Sequence, residues 1–188
     1  MRCSRDGDST IPLGGAGSAV EVDETYIGRV KGVPVKRGFQ HKNAVLSLVE
    51  RGGRVRSFHV DKATVKEVAP IVTANVSRET RLMTDESNIY TKLGREFAGH
   101  GVVNHKIDEY VRGDDHTNTV EGYFSIFKRG IIGVYQHCSE KHLHRYVAEF
   151  DFRYNNRSRL GIEDAERADR ALKGVVGKRL TYRGPAKL

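Results

Sequence analysis

The pattern of apolar and polar residues along the chain predicts five strands and several helices. Residues 20–27 alternate apolar and polar side chains, which is typical of a strand with one buried face. Two apolar stretches follow at residues 43–50 and 54–60, and the Arg51-Gly52-Gly53 turn between them predicts a β-hairpin. The remaining predicted elements alternate: a helix over 65–76, a strand over 81–85, a helix over 89–97, a strand over 101–105, and helices over 118–128 and 141–154.

This order of elements favours a mixed α/β sheet. Three antiparallel strands followed by alternating helices and strands predict a five-stranded sheet that is flanked by helices on its faces. We place Asp23 on the central strand and Asp85 at the end of the neighbouring strand. The predicted organisation is a loose N-terminal arm over residues 1–19, one folded domain over 20–160 and a basic C-terminal tail over 161–188.

The charge of the chain favours a polyanionic partner. The 32 Lys and Arg residues outnumber the 24 Asp and Glu residues, which gives a net charge of +8. Nucleic acid is therefore the first expectation and an anionic membrane surface the second. Cys3 and Cys138 are the only cysteines, which argues against a disulfide framework or a cysteine zinc site. Because no apolar leader and no run of 18 apolar residues is present, we expect a cytoplasmic protein.

Three acidic residues on separate predicted elements are candidates for a metal site. Two-metal phosphodiester chemistry needs carboxylates that converge on two cations about 3.5–4 Å apart. Mg²⁺ accepts a few carboxylates together with water and phosphate oxygens, so three acidic groups are enough. Asp23 lies within the first strand, Asp85 ends a later strand, and Glu121 lies in a helix after 35 intervening residues.

The helix over residues 118–128 also carries a cation. Lys128 follows Glu121 by seven positions, or two helical turns, so both side chains lie on one face. A lysine at this position would hold a DNA phosphate beside the metals. Gly130 and Gly133 are predicted to end this helix.

Four motifs, in order along residues 20–157, carry a family resemblance. They are VEVDETYIG at 20–28, MTDE at 83–86, HTNTVEGYFSIFKRG at 116–130 and KHLHRYVAEFDFRYNNR at 141–157. Together they resemble the ISXO-type insertion-sequence transposases, a branch of the DDE superfamily. The resemblance implies an RNase H-like catalytic domain over residues 20–160. Such a domain would bind two Mg²⁺ ions, with Mn²⁺ as a substitute, and would cleave and transfer DNA strands at element ends.

The resemblance also implies individual roles. Asp23 and Asp85 match the first two acids of the family, as metal ligands. The third position is Glu or Asn in the family, and this chain offers Glu121 and Asn118. We favour Glu121, since a carboxylate holds Mg²⁺ better than an amide oxygen, and keep Asn118 as the alternative. Full-length relatives carry an N-terminal zinc ribbon and a helix-turn-helix; only 22 residues precede Asp23 here, so we expect a truncated chain.

Basic residues are expected to contact the DNA backbone. Lys31, Lys36 and Arg37 lie in a Gly-containing loop after the first strand, and Lys128 and Arg129 follow Glu121 on its helix. The expected partner is double-stranded DNA, both element ends and target, in an arrangement that allows a homodimer and involves no membrane. The expected location is the cytoplasm, at a bacterial-type nucleoid.

Simpler interpretations of the same residues stay open. Asn118 and Glu121 have the spacing of a capping box, which needs no catalysis. The basic loop has the composition of a solvated surface. Two other functions also remain: a non-catalytic DNA-binding transposase remnant and an RNase H-like nuclease. Divalent-metal binding would distinguish an enzyme from a remnant, and strand joining would distinguish a transposase from a nuclease.

Overall fold

A computed structural model describes residues 11–103 and 116–177 of the chain. Its strands are β1 (Ala19–Ile27), β2 (Asn43–Glu50), β3 (Val55–Val60), β4 (Arg81–Asp85) and β5 (Gly99–Val103). Its helices are α1 (Val65–Asn75), α2 (Tyr90–Leu93), α3 (Asn118–Gly130), α4 (Glu140–Asn155) and α5 (Asp164–Lys173). Short 3₁₀ turns at Gly94–Glu96 and Ser158–Leu160 and a π-helical turn at Ile131–Tyr135 complete the described elements.

The five strands form one mixed sheet in the order β3-β2-β1-β4-β5. β1 pairs antiparallel with β2, and β2 pairs antiparallel with β3 through the predicted hairpin. β4 and β5 add to the other side of β1 as parallel strands. The predicted α/β class, with a mixed five-stranded sheet between helices, is confirmed, and so is the central position of the strand that carries Asp23.

Helices cover both faces of the sheet because successive strand residues point to opposite sides. On one face, Val20 and Val22 pack in a core with α1 and α2. On the other face, Ile27 packs in a second core with α3 and α4. The odd-numbered positions of β1 therefore face α3. Within the described ranges, every helix is too short or too polar to cross a membrane.

The prediction that Gly130 and Gly133 end the α3 helix is confirmed only in part. The α-helical pattern of α3 ends at Gly130, but a π-helical turn at Ile131–Tyr135 directly continues the helical path through Gly133. Gly130 has ordinary right-handed helical angles, and a Cβ there would lie 2.2 Å from the ring of Phe150 on α4. Gly130 thus allows close packing of α4 against the end of α3.

Segments near both ends are attached to the domain. Leu13, in the predicted loose arm, is only 1% exposed, and its backbone forms hydrogen bonds with Asn75, the last residue of α1, and with Ser77. In the predicted basic tail, α5 is tied to the end of α4 by Arg167 and Arg170, which donate hydrogen bonds to the backbone and side-chain oxygens of Asn156. The described parts of the arm and the tail therefore contain ordered backbone.

Candidate active site

The first two predicted acids lie side by side in the sheet. β1 and β4 are parallel neighbours in which Glu21 is opposite Met83. The paired register ends there. Two residues further along the two strands lie Asp23 and Asp85, the last residue of β4, and the negative charge of Asp85 acts on the carboxyl group of Asp23. Because the side-chain period of a strand is two, Asp23 and Asp85 point to the same face as Glu21, the face that α3 covers. The prediction that Asp85 ends the strand next to Asp23 is confirmed.

An open depression of about 480 Å³ lies at this end of the sheet. It contains both acids, Asp23 and Asp85, and one of the predicted DNA-contacting cations, Lys128. The remaining lining residues are Glu24, Thr25, Tyr26, Phe39, Lys42, Ser87 and Ile89. The strand ends and the α3 helix therefore bring acidic and basic side chains to one solvent-open surface, as a site for a phosphate and a cation requires.

The carboxyl group of Asp23 has a strongly perturbed pKa. This pKa is raised to about 8, above all by burial and also by the negative charges of Glu24, Asp85 and Glu121. A hydrogen bond of 2.7 Å from the backbone N–H of Glu24 to Asp23 Oδ1 acts in the opposite direction. Three neighbouring carboxylates thus act on the titration of Asp23. A bound cation would relieve this repulsion.

We expect the substitution Asp23→Asn to stabilise the metal-free protein more at pH 8 than at pH 5. Below about pH 4 the carboxyl group is protonated in both folded and unfolded chains, so it contributes no pH dependence. Between about pH 4 and pH 8 the unfolded chain releases the proton and the folded chain retains it, so the wild type loses stability as pH rises. Thermal unfolding in a chelating buffer measures the difference between variant and wild type. A difference that is the same at both pH values would contradict the raised pKa.

Glu24 is a residue of this site that the sequence reasoning did not single out. Tyr90 donates a hydrogen bond of 2.5 Å to Glu24 Oε2, and Tyr90 itself is fully buried. Burial raises the pKa of the Glu24 carboxyl, although the Tyr90 hydrogen bond partly offsets the shift. The adjacent Asp23 and Glu24 in the sequence indicate two acids at this place. The sequence does not indicate that Glu24 binds a buried tyrosine 66 positions away.

Helix α3 presents Glu121 and Lys128 along one edge. At 100° per residue the two positions differ by about 20° around the helix axis, whereas Asn118 lies about 60° from Glu121, further toward solvent. Glu121 acts on the pKa of Asp23, and Lys128 lines the depression. Glu121 Oε1 also accepts a 2.8 Å hydrogen bond from the hydroxyl of Thr117. Glu121 itself and Asn118 do not line the depression.

The capping-box interpretation of Asn118 and Glu121 is wrong. The N-cap of α3 is Thr117, and Asn118 is the first helical residue and exposed. The free N–H groups of the first turn are instead bound by a strand residue, Glu21. Its Oε2 accepts hydrogen bonds from the backbone N–H groups of Thr119 (2.8 Å) and Val120 (2.9 Å).

The predicted DNA-contacting residues divide into two groups. Lys128 lines the depression, whereas Lys31, Lys36 and Arg37 are exposed in the loop between β1 and β2 and do not line it. Arg129, also exposed, donates a hydrogen bond to the backbone oxygen of Ser125 one turn earlier.

The end of the β1–β2 loop approaches the acids through residues that were not predicted. Phe39 stacks on Tyr26 with ring centroids 4.6 Å apart, and Lys42 lies 5.5 Å from the Phe39 ring centroid. All three residues line the depression. The basic loop is thereby attached beside the acids, with Lys42 as a second cation.

The donor set of the site fits a hard divalent cation only in part. Across residues 11–103 and 116–177, no three His, Cys, Asp or Glu side chains already converge as a metal-binding group. Mg²⁺ does not need such a group, because it is commonly held by one or two carboxylates, waters and substrate phosphates. Asp23 and Asp85, on adjacent strands, provide two such carboxylates.

The sheet order and the two acids at the junction of β1 and β4 define an RNase H-like α/β domain. The ISXO2-like transposase domain family matches residues 12–155, which is more than half of the chain, and the chain belongs to this family. No curated protein matches the chain. The family resemblance read from the four sequence motifs is thus confirmed, and the chain is a transposase domain.

Proposed function

We propose that this domain catalyses divalent-metal-dependent cleavage and transfer of DNA strands at the ends of an insertion element. The observation that carries the proposal is the position of Asp23 and Asp85 on neighbouring parallel strands, in one depression that Lys128 of α3 also lines. The reaction class, DNA strand cleavage and transfer, is inferred from the membership of the chain in a transposase family. Polynucleotidyl transfer needs acidic ligands and a phosphate-binding cation on one open surface, and the proposal assigns these roles to the acids and the lysine of this depression.

The proposed metal ligands are Asp23, Asp85 and Glu121, with Asn118 as the alternative to Glu121. Mg²⁺ or Mn²⁺, when bound as one or two ions, supplies the positive charge that activates the attacking oxygen and stabilises the leaving oxygen. The chain supports its carboxylates with backbone groups. The N–H of Glu24 donates to Asp23 Oδ1, and the N–H of Ser87 donates to Asp85 Oδ1 over 3.0 Å. These contacts fix one oxygen of each acid.

Two lysines are proposed to bind the DNA backbone next to the reacting phosphodiester. Lys128 and Lys42 line the same depression from α3 and from the end of the basic loop. Lys31, Lys36, Arg37 and Arg129 extend the positive surface outside it. The proposed partner is double-stranded DNA, first the element end and then the target, at the nucleoid in the cytoplasm. A homodimer would bring two element ends together.

A second candidate is a non-catalytic remnant that binds DNA. The net charge of +8 and the exposed cations of the β1–β2 loop would serve DNA binding without catalysis. A Mn²⁺ titration by calorimetry distinguishes the two, because only an enzyme should show binding that Asp23→Ala and Asp85→Ala remove. The function itself is tested by incubating the protein and Mg²⁺ with duplexes from the DNA that flanks its coding sequence. Nicked ends and joined strands are expected; nicking without joining would indicate an RNase H-like nuclease.

Replacing Lys31, Lys36 and Arg37 together with Ala is expected to weaken binding to all duplex sequences alike. Each neutralised phosphate releases condensed counterion, so the slope of log affinity against log salt should flatten by about 0.9 for each lost contact. Fluorescence anisotropy at several salt concentrations measures both quantities. A matched control is Lys66→Ala on α1, an exposed lysine of the opposite sheet face. If the triple variant has the same DNA affinity and salt slope as the wild type, these three residues do not contact DNA and the loop is only a solvated surface.

A further inference from the structure

Glu21 is a fully buried carboxylate that joins three parts of the chain. Besides the N–H groups of Thr119 and Val120, it accepts hydrogen bonds from the Thr119 hydroxyl (2.9 Å) and from Arg51 Nε (2.8 Å). His116 Nδ1 lies 3.3 Å from Glu21 Oε1. Arg51 in turn donates a 2.7 Å hydrogen bond to the backbone oxygen of His116. One side chain of β1 thus ties the β2–β3 turn, the segment before α3 and the first turn of α3.

The Glu21 carboxylate stabilises the N-terminus of α3 electrostatically. The first N–H groups of a helix have no partner inside the helix and carry a partial positive charge. Glu21 supplies a negative charge and two acceptor positions there, and Arg51 compensates that charge in the interior. A carboxylate that is 0% exposed persists only with such partners.

The position of Glu21 connects this contact to the acids. Glu21 precedes Asp23 by two residues on the same face of β1, and its partner Val120 is the residue before Glu121. The contact therefore sets the distance between the strand that carries the first acid and the helical turn that carries the third. Lys128 follows two turns later on the same helix.

We propose that Glu21 is a positioning residue of the active site, which sets the placement of Glu121 and Lys128 relative to Asp23 without contacting substrate. This inference rests on the proposed function, since it concerns the same reaction. Residues that orient metal-binding side chains typically change metal affinity or activity about 10–100-fold when they are substituted.

The test compares Glu21→Gln with Asp151→Asn. Gln has the shape of Glu but places an N–H₂ group among donors. Asp151 is the matched control: a carboxylate that accepts hydrogen bonds from the Ser57 N–H (2.7 Å), the Ser57 hydroxyl (2.8 Å) and the Tyr123 hydroxyl (2.7 Å), away from the acids. Both variants are expected to lower the unfolding temperature. Only Glu21→Gln is expected to lower kcat about 10–100-fold and to raise the Mg²⁺ concentration for half-maximal cleavage, with DNA affinity unchanged.

Hydrogen exchange of the full chain provides a readout that needs no activity. Glu21→Gln is expected to speed exchange of the Thr119 and Val120 amides at least tenfold relative to Asp151→Asn, because these amides have no partner within the helix. The inference is overturned if both variants leave kcat and the Mg²⁺ dependence at the wild-type values, or if the two amides exchange equally in both. If the wild-type protein cleaves no DNA, the proposed function is wrong. The amide exchange rates would still show whether Glu21 anchors the start of α3.

Discussion

Asp23→Ala and Asp85→Ala are each expected to reduce metal-dependent DNA cleavage about 10³-fold or more, with DNA binding intact or slightly stronger. Loss of a group on which a catalytic site depends commonly costs on the order of 10⁴ in rate. Each substitution also removes a negative charge from a surface that faces phosphates, so binding should not weaken. Cleavage of a labelled duplex and anisotropy with the same duplex measure the two effects separately.

A matched substitution at a remote acid controls for the loss of negative charge. Asp61 is an exposed aspartate in the connection between β3 and α1, distant in sequence and element from the depression. Asp61→Ala should retain wild-type cleavage. Cleavage that survives in both Asp23→Ala and Asp85→Ala would show that these carboxylates are not the metal ligands, even if the protein cuts DNA.

Glu121→Gln is expected to lose activity more than 100-fold, whereas Asn118→Ala should remain active. Glutamine still accepts the Thr117 hydroxyl hydrogen bond, so the helix should keep its stability while the ligand charge is lost. Asn118 is an exposed first-turn residue and not the N-cap, so its truncation should change stability by no more than about 0.5 kcal/mol. Single-turnover cleavage and thermal unfolding of both variants measure these effects.

The opposite pattern would identify Asn118 as the third ligand. An active Glu121→Gln together with an inactive, stably folded Asn118→Ala would contradict our choice. Glu121→Asp serves as an intermediate variant: it keeps the charge and shortens the side chain, so partial activity is expected only if the carboxylate is the ligand.

Local patterns in the sequence were sufficient to predict the sheet. β1 and the β2–β3 hairpin show alternation and a Gly-Gly turn, and both signals act over fewer than ten residues. The adjacency of Asp23 and Asp85 followed from the order of elements, because a strand that follows a crossover helix tends to join the sheet in parallel beside an earlier strand. The strand predicted over 101–105 corresponds to β5, which begins two residues earlier, at Gly99. Residues 104 and 105 lie outside the described ranges.

The contacts that support the site depended on tertiary structure. Glu21 reads as the polar position of an alternating strand, and its burial becomes visible only when α3 is placed above β1. The same holds for Tyr90, whose buried hydroxyl donates a hydrogen bond to Glu24 on the central strand. The low helix propensity of glycine predicts the end of α3 at Gly130, but it does not predict the close approach of Phe150, which leaves no room for a side chain there. In each case the determining partner is distant along the chain.

An anomalous-scattering map from crystals of the wild-type protein soaked in Mn²⁺ locates the metal site directly. We expect a peak between the carboxylates of Asp23 and Asp85 at the junction of β1 and β4, and loss of this peak in crystals of Asp23→Ala. A Mn²⁺ peak elsewhere, in a protein that still cleaves DNA with Mn²⁺, would contradict this expectation.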